Sequence, residues 1–237
     1  MTTTRGKRYL NASEKVDPEA TYPLDEAIDL AKETATAGFD ESLEAAFNMG
    51  VNPSQTMIRG TTVLPNGTGK KVRVVAFARG ETQREAEEAN ADWVGGEELA
   101  EKIEDGWLEF DQVVATPEMM SVVGRLGRIL GPRGMMPSPK SNTVTEDLGD
   151  AISKLKKGQI EFRTDKYGVI HVPFGRATFE SEHLRENLIH LLSNIYAERP
   201  EDLQARYLQK ATISATMGPG VGLEVDELRR LAYDYGI

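Results

Sequence analysis

The sequence predicts a mixed α+β and α/β protein in two parts. A two-layer α/β domain is built from both ends of the chain (about 1–66 and 159–237), and a three-layer α/β domain (67–158) is inserted into it. Three observations predict this. Strand and helix patterns alternate between positions 71 and 156, as parallel βαβ units do. Each end of the chain holds one helix and about two strands, too little for a core of its own. Gly-bearing segments stand at both crossings, where the halves are expected to hinge.

In chain order, "PLDEAIDLAKETA" (23–35) opens with Pro and acids, as helix first turns do, and carries Leu24, Ala27, Ile28 and Ala31 at helical spacing. "ESLEAAFNMG" alternates Leu43, Ala45, Phe47 and Met49 with Ser42, Glu44, Ala46 and Asn48, which is a half-buried strand. A second extended piece, "MIRGTTVL", ends in the breaker cluster "PNGTG" (65–69), which reads as a linker turn. Then follow a strand at 71–78, a helix at 83–91, a short strand at 92–94, a helix at 97–104 and a strand at 110–115.

"TPEMMSVVGRLGRILGP" (116–132) predicts a helix with Thr116 as N-cap, Pro117 at N1 and Gly131-Pro132 as its stop. Its apolar stripe is Met119, Val122, Val123, Leu126 and Ile129 or Leu130, with Arg125 and Arg128 solvated. Small residues at 124 and 127 suggest close packing. A helix at 146–156, strands at 159–163 and 168–174 around the turn "TDKYG", and a helix at 182–197 with Leu184, Leu188, Leu191, Leu192 and Ile195 inward come next. "YLQKATISATMG" is the last clear strand, and "LEVDELRRLAYDYGI" suggests a short helix docked on the body.

Composition narrows the function. The absence of cysteine removes disulfides and thiolate chemistry. No apolar run is long enough for a membrane span, and the start of the chain lacks the apolar stretch of a signal peptide, so a cytoplasmic location is expected. The formal charge of −10 is local: between 81 and 111 there are 12 acids against two bases, and the rest balances. Overall acidity therefore does not exclude a polyanionic partner, although it argues against strong nonspecific binding.

Motifs for catalysis are missing. "LPNGTGKK" fails as a phosphate loop, because Leu64 stands where the first Gly belongs, Lys71 replaces the hydroxyl residue, and the segment precedes a strand. The glycines of "GRLGRILGPRGMMPSPK" lie inside or after a helix, whereas a dinucleotide loop lies between strand and helix. His171, His183 and His190 have no metal-ligand spacing, and no GxSxG elbow occurs. Neither an enzyme activity nor a cofactor is expected, and a nucleotide-dependent α/β enzyme is the disfavoured alternative. A protein adaptor using the acidic 81–111 face is a third reading.

The last strand is more informative. Ala211, Ile213 and Ala215 face one way, while Lys210, Thr212, Ser214 and Thr216 face the other, with Gly218 and Gly220 beyond. Hydroxyls beside an ammonium suit phosphates and 2′-hydroxyls, and equally suit a wet sheet face. "TDKYG" offers a second polar tip, Asp165 and Lys166. With no aromatic stacking motif, shape reading of folded RNA is expected rather than capture of splayed bases.

The chain closely resembles the bacterial ribosomal protein L-one family, the large-subunit protein of the mobile stalk near the tRNA exit site. The resemblance rests on "GRLGRILGPRGMMPSPKSNTV", "IRGTTVLPNGTGKKVRV", "EFRTDKYGVIHVPFG" and "ISATMGPGVG", extended by "RYLNASEKVD" and "FDESLEAAFNMG". It implies a discontinuous rRNA-binding domain, an inserted Rossmann-like domain on a hinge, and a monomer within the ribosome. The implied partners are the large-subunit rRNA stalk, exit-site tRNA whose deacylated form is released, and the protein's own operon mRNA, which it represses.

Carried onto matching positions, the implied RNA contacts are Phe39, Ser42, Asp165, Lys166, Gly168, His171, Ser214, Thr216, Met217 and Gly218. Arg133 and Lys140, in the signature loop, take the role of scaffold or secondary contact. Three departures stand out: "VNPSQTM" before Arg59 has no base, residue 38 is Gly where Lys is expected, and the resemblance does not place the tail after Gly222.

Overall fold

The computed structural model describes residues 5–53, 56–200 and 206–236. The chain divides into two compact units, one of Met1–Gly69 with Ile160–Ile237 and one of Lys70–Gln159.

In the first unit, β1 (Ser42–Met49) pairs antiparallel with both β7 (Val169–Arg176) and β8 (Leu208–Ala215), and β8 pairs antiparallel with β9 (Val221–Leu223). The sheet order is β7-β1-β8-β9. Alternation decides its faces. Leu43, Ala45, Phe47 and Met49 on β1 join Ile170, Val172, Phe174, Ala211, Ile213 and Ala215 in one buried cluster. That cluster is closed by α2 (Leu24–Thr34), α8 (Ser181–Ala197) and α9 (Val225–Gly236) through Ile28, Leu188, Leu192 and Leu228. A two-stranded ribbon of β2 (Arg59–Val63) and β6 (Gln159–Arg163) adds Ile160 and Phe162, with the Phe162 ring lying where a side chain at Gly60 would be.

In the second unit, β3 (Val74–Phe77) lies between β4 (Trp93–Gly95) and β5 (Gln112–Ala115), parallel to both. Both faces are covered, which is why β3 is buried at every position. Val74, Ala76 and Val114 pack with Ala86, Ile152 and Leu155 of α3 (Glu81–Glu88) and α7 (Leu148–Lys156). Val75, Phe77 and Val113 pack on the other side with Leu99 and Ile103 of α4 (Glu97–Glu104) and with Val123 and Leu126. The unit is thus a three-layer α/β sandwich.

Several expectations change. The chain crosses between units at Gly69/Lys70 and Gln159/Ile160, three residues and one residue beyond the predicted boundaries at 66/67 and 158/159. "PNGTG" is not a free linker turn. The buried Asn187 of α8 accepts from the Asn66 N–H (2.9 Å) and donates to the Gly67 carbonyl (2.9 Å). Gly69 has φ +72 and leaves no room for a Cβ beside Arg176 and Phe179.

The helix expected at 116–131 is broken into a 3₁₀ turn (Pro117–Met119), α5 (Met120–Val123), a second 3₁₀ turn (Gly124–Leu126) and α6 (Gly127–Leu130). Thr116 sits at the N-cap position without a capping side-chain bond. Gly124 and Gly127 do not serve close packing, since nothing lies within 4 Å of a Cβ built on either. They weaken the helix instead, which suits its repeated switch to 3₁₀ geometry. Two elements lacked a readable signal: α1 (Lys7–Ser13), which buries only Ala12, and the three-residue β9.

The Phe47 side chain is fully buried at the centre of the β1 strand. Phe47→Ala is expected to destabilise the first unit by about 3–5 kcal/mol, measured as a lowered denaturant midpoint.

Candidate nucleic-acid interface

The sheet of the first unit has a second face, and its side chains are polar or small. Across the strands run His171–Ala46–Thr212 and Pro173–Glu44–Ser214, with Val169–Asn48–Lys210 at one end. Glu44, His171, Pro173 and Lys210 are exposed, and Thr212 and Ser214 are half-buried. The expected ladder of hydroxyls therefore lies on an accessible surface, with Ser214 and Thr212 facing out and Ile213 and Ala215 in the core.

The ten implied contact residues fall into two groups at opposite ends of this sheet. Ser42 pairs with Arg176 while Asn48 pairs with Val169. The six-residue separation along β1 corresponds to about 20 Å. At the Ser42 end, the strand entry and the β8–β9 turn are stitched together. The Thr216 N–H donates to the Ser42 carbonyl (3.0 Å), and the Ser42 N–H donates to Thr216 Oγ1 (3.0 Å). Phe39 and Met217 stand on these two segments with 55% and 48% of their surface exposed, so the stitched segments bring two large apolar side chains to the surface. Gly218 fits because a Cβ there would come within 3.2 Å of Ala215 Cβ and 3.4 Å of Thr34 Oγ1. Its missing side chain thus makes room within the protein's own core.

At the other end is the hairpin turn. Asp165 Oδ1 accepts from the Tyr167 N–H (2.8 Å) and the Val169 N–H (2.9 Å), and Gly168 is buried at φ +79 with its carbonyl bound by the Met49 N–H. These two residues build the turn; Lys166 and Tyr167 are displayed by it, the tyrosine 71% exposed with the lysine ammonium 4.9 Å from its ring centre. His171 Nε2 lies 4.0 Å from Asp165 Oδ2. The backbone N–H groups of Val169 and Tyr167 hold the Asp165 carboxyl below its usual range.

Three residues that matter to this geometry were not singled out in the sequence. Glu41 is 1% exposed and accepts from the Ala37 N–H (2.7 Å) and the Met217 N–H (2.8 Å). Arg176 Nη1 donates to the Asp40 carbonyl (2.9 Å). Tyr167 did carry a signal, an aromatic residue at the tip of a polar turn. Glu41 carried none, because its partners are 4 and 176 residues away.

The signature loop of the second unit is tied to its own sheet. The Ala115 N–H donates to the Thr143 carbonyl and the Thr145 N–H to the Ala115 carbonyl, so Val144 extends the sheet beside β5. Hydroxyls lock it: Thr143 Oγ1 accepts from the Ser138 N–H (2.8 Å) and lies 3.0 Å from Ser141 Oγ. Arg133 and Lys140 project from it, exposed.

The crevice at the carboxyl ends of β3 and β4, where α/β sheets bind nucleotides, is a cavity of about 350 Å³ lined by Arg79, Gly80, Gly96, Glu97 and Glu98. Glu98 Oε1 already accepts from the Gly96 N–H (2.9 Å), and Arg79 is paired with Glu97. Carboxylates stand where a phosphate would need donors.

Comparison with known sequences gives a family. Residues 31–219 match the profile of the Ribosomal protein L1p/L10e family. The chain is also 51% identical over 221 residues, 92% of its length, to the large ribosomal subunit protein uL1 of Lactobacillus johnsonii (strain CNCM I-12250 / La1 / NCC 533), of which 96% is covered.

The Asp165 turn makes a pH-dependent prediction. A carboxyl whose acidity is raised on folding contributes stability above its unfolded value, near 3.8, that is lost as pH falls through the lower folded value. Asp165→Asn is therefore expected to speed amide exchange at Tyr167 and Val169 at neutral pH, and to differ progressively less from wild type as the solution is acidified below that range.

Proposed function

This chain belongs to the ribosomal protein L1p/L10e family, a family of structural, non-enzymatic ribosome constituents, and from that premise we propose that its first unit is the reader of large-subunit rRNA. The observation that carries this reading is the stitched pair of segments 37–42 and 215–218, which offers Phe39, Ser42, Thr216 and Met217 on one rigid platform beside the open hydroxyl face. Ser214 and His171 belong to that face, and Lys166 with Tyr167 forms a second arm about 20 Å away. Asp165, Gly168 and Gly218 serve by shaping backbone rather than by reaching out. Such a spacing suits two points on a folded RNA rather than one nucleotide.

Charge sets the character of the binding. The first unit holds 15 Lys and Arg against 22 Asp and Glu, a formal −7, so its affinity rests on hydrogen bonds and apolar contacts more than on phosphate neutralisation. Gly38 and the absence of bases at 51–57, of which Ser54 and Gln55 lie outside the described residues, point the same way.

The finer roles proposed are those that the family resemblance implies. The rRNA target is the mobile stalk near the tRNA exit site, where the protein assists release of deacylated tRNA. A similar fold in its own operon mRNA would compete for the platform, giving translational repression. Arg133 and Lys140, on the second unit, have a secondary role.

The test is a salt titration of binding to the isolated large-subunit stalk rRNA fragment. Met217→Asp, which places a carboxylate on the platform, is expected to weaken binding by at least about 100-fold, in the range of losing a buried contact and adding a repulsive charge. An Arg133→Ala/Lys140→Ala pair is expected to change affinity by less than about threefold, with the salt slope lowered by no more than two phosphate contacts. The opposite pattern would move the primary site to the second unit.

A further inference from the structure

We propose that Glu41 is the positioning residue of the RNA platform: its carboxylate holds the two RNA-facing segments in one arrangement without touching RNA. The inference rests on the reading of the first unit as the RNA reader. Glu41 is 1% exposed, and each oxygen serves a different segment, Oε1 taking the Ala37 N–H at 2.7 Å and Oε2 the Met217 N–H at 2.8 Å. These bonds bracket the platform's exposed apolar side chains, since Phe39 lies between Ala37 and Glu41 and Met217 is itself a donor.

The chemistry excludes a direct role. A carboxylate has the wrong sign to face a phosphodiester, and this one has no exposed surface with which to do so. Burying it is costly unless it is fully hydrogen-bonded, so its place beneath the platform requires both N–H groups to stay where they are. The converse also holds: the two backbone donors have this side chain as their hydrogen-bond acceptor, and without it each is released or left unsatisfied. The Ala177 N–H binds the Glu41 carbonyl (2.9 Å) and Arg176 binds the Asp40 carbonyl, so the backbone beside Glu41 is fixed independently and the side chain acts on the segments at either side.

Glu41→Gln tests this. The amide keeps one acceptor and turns an N–H₂ towards the other backbone donor, so one segment is freed while the fold keeps its shape. RNA affinity is expected to fall at least about tenfold, with the slope of affinity against salt unchanged, because no phosphate contact is removed. Amide exchange at Ala37 or Met217 is expected to accelerate in the free protein. Leu228→Ala, in the helix-side core, is the control for general destabilisation: it should lower the melting temperature at least as much and leave RNA affinity near wild type. If Glu41→Gln binds RNA like wild type, or if the two variants lose affinity in proportion to their melting temperatures, the proposal is wrong. Met217→Asp separates the two levels. Should it bind normally, the platform itself has been misplaced; should it fail to bind while Glu41→Gln binds fully, only the clamp falls.

Discussion

The first unit depends on β1 having two antiparallel partners. A strand from the start of the chain lies between β7 and β8, which begin more than 100 residues later; its buried Leu43, Ala45 and Phe47 each face a buried residue on both neighbours, and Met49 faces Leu208 on β8. Without β1 the sheet would have a gap between β7 and β8, and the helices would have no continuous apolar floor. This arrangement explains how a complete three-layer unit can sit within another domain. Both crossings fall close to the β2–β6 ribbon, whose two strands pair with each other, and the entropy of closing the long intervening loop grows only slowly with its length.

The same strand also creates the functional asymmetry. Period-two alternation sends Leu43, Ala45, Phe47 and Met49 to the helices and leaves Ser42, Glu44, Ala46 and Asn48 on the other face. In the second unit helices cover both faces of the sheet, so no comparable surface remains. The open face in the first unit is therefore a product of topology, and its two ends are decided by turn chemistry: a hydroxyl and a buried carboxylate at one, an Asp-supported hairpin at the other.

Periodicity made most of this legible. The inward stripe of α8 (Leu184, Leu188, Leu191, Leu192, Ile195) is buried throughout, as are the apolar positions of β1 and β8. What failed were features that local pattern does not encode. A helix at 116–131 satisfied every terminal signal yet alternates with 3₁₀ turns around two glycines whose neighbours are open space. "PNGTG" has linker composition but is fixed by Asn187, a residue whose polarity in the middle of an apolar helix stripe was the available hint. Glu41 looked like any surface acid at a strand entry, because burial and two backbone partners are tertiary facts.

Two of these misses, Asn187 and Glu41, share with Asp165 a role that bears on the proposed RNA binding. Asn187, Glu41 and Asp165 are polar side chains spent on the protein's own backbone, each satisfying two or more main-chain groups. Fixing backbone in this way lowers the entropy lost when a ligand docks, so affinity can come from pre-arranged hydroxyls, main chain and two apolar side chains instead of from many cations. Net charge then becomes nearly irrelevant to specific binding while still suppressing nonspecific attachment to other polyanions. On the proposed reading of the first unit as an RNA platform, its negative charge is compatible with specific binding that rests on shape and hydrogen bonds more than on cations.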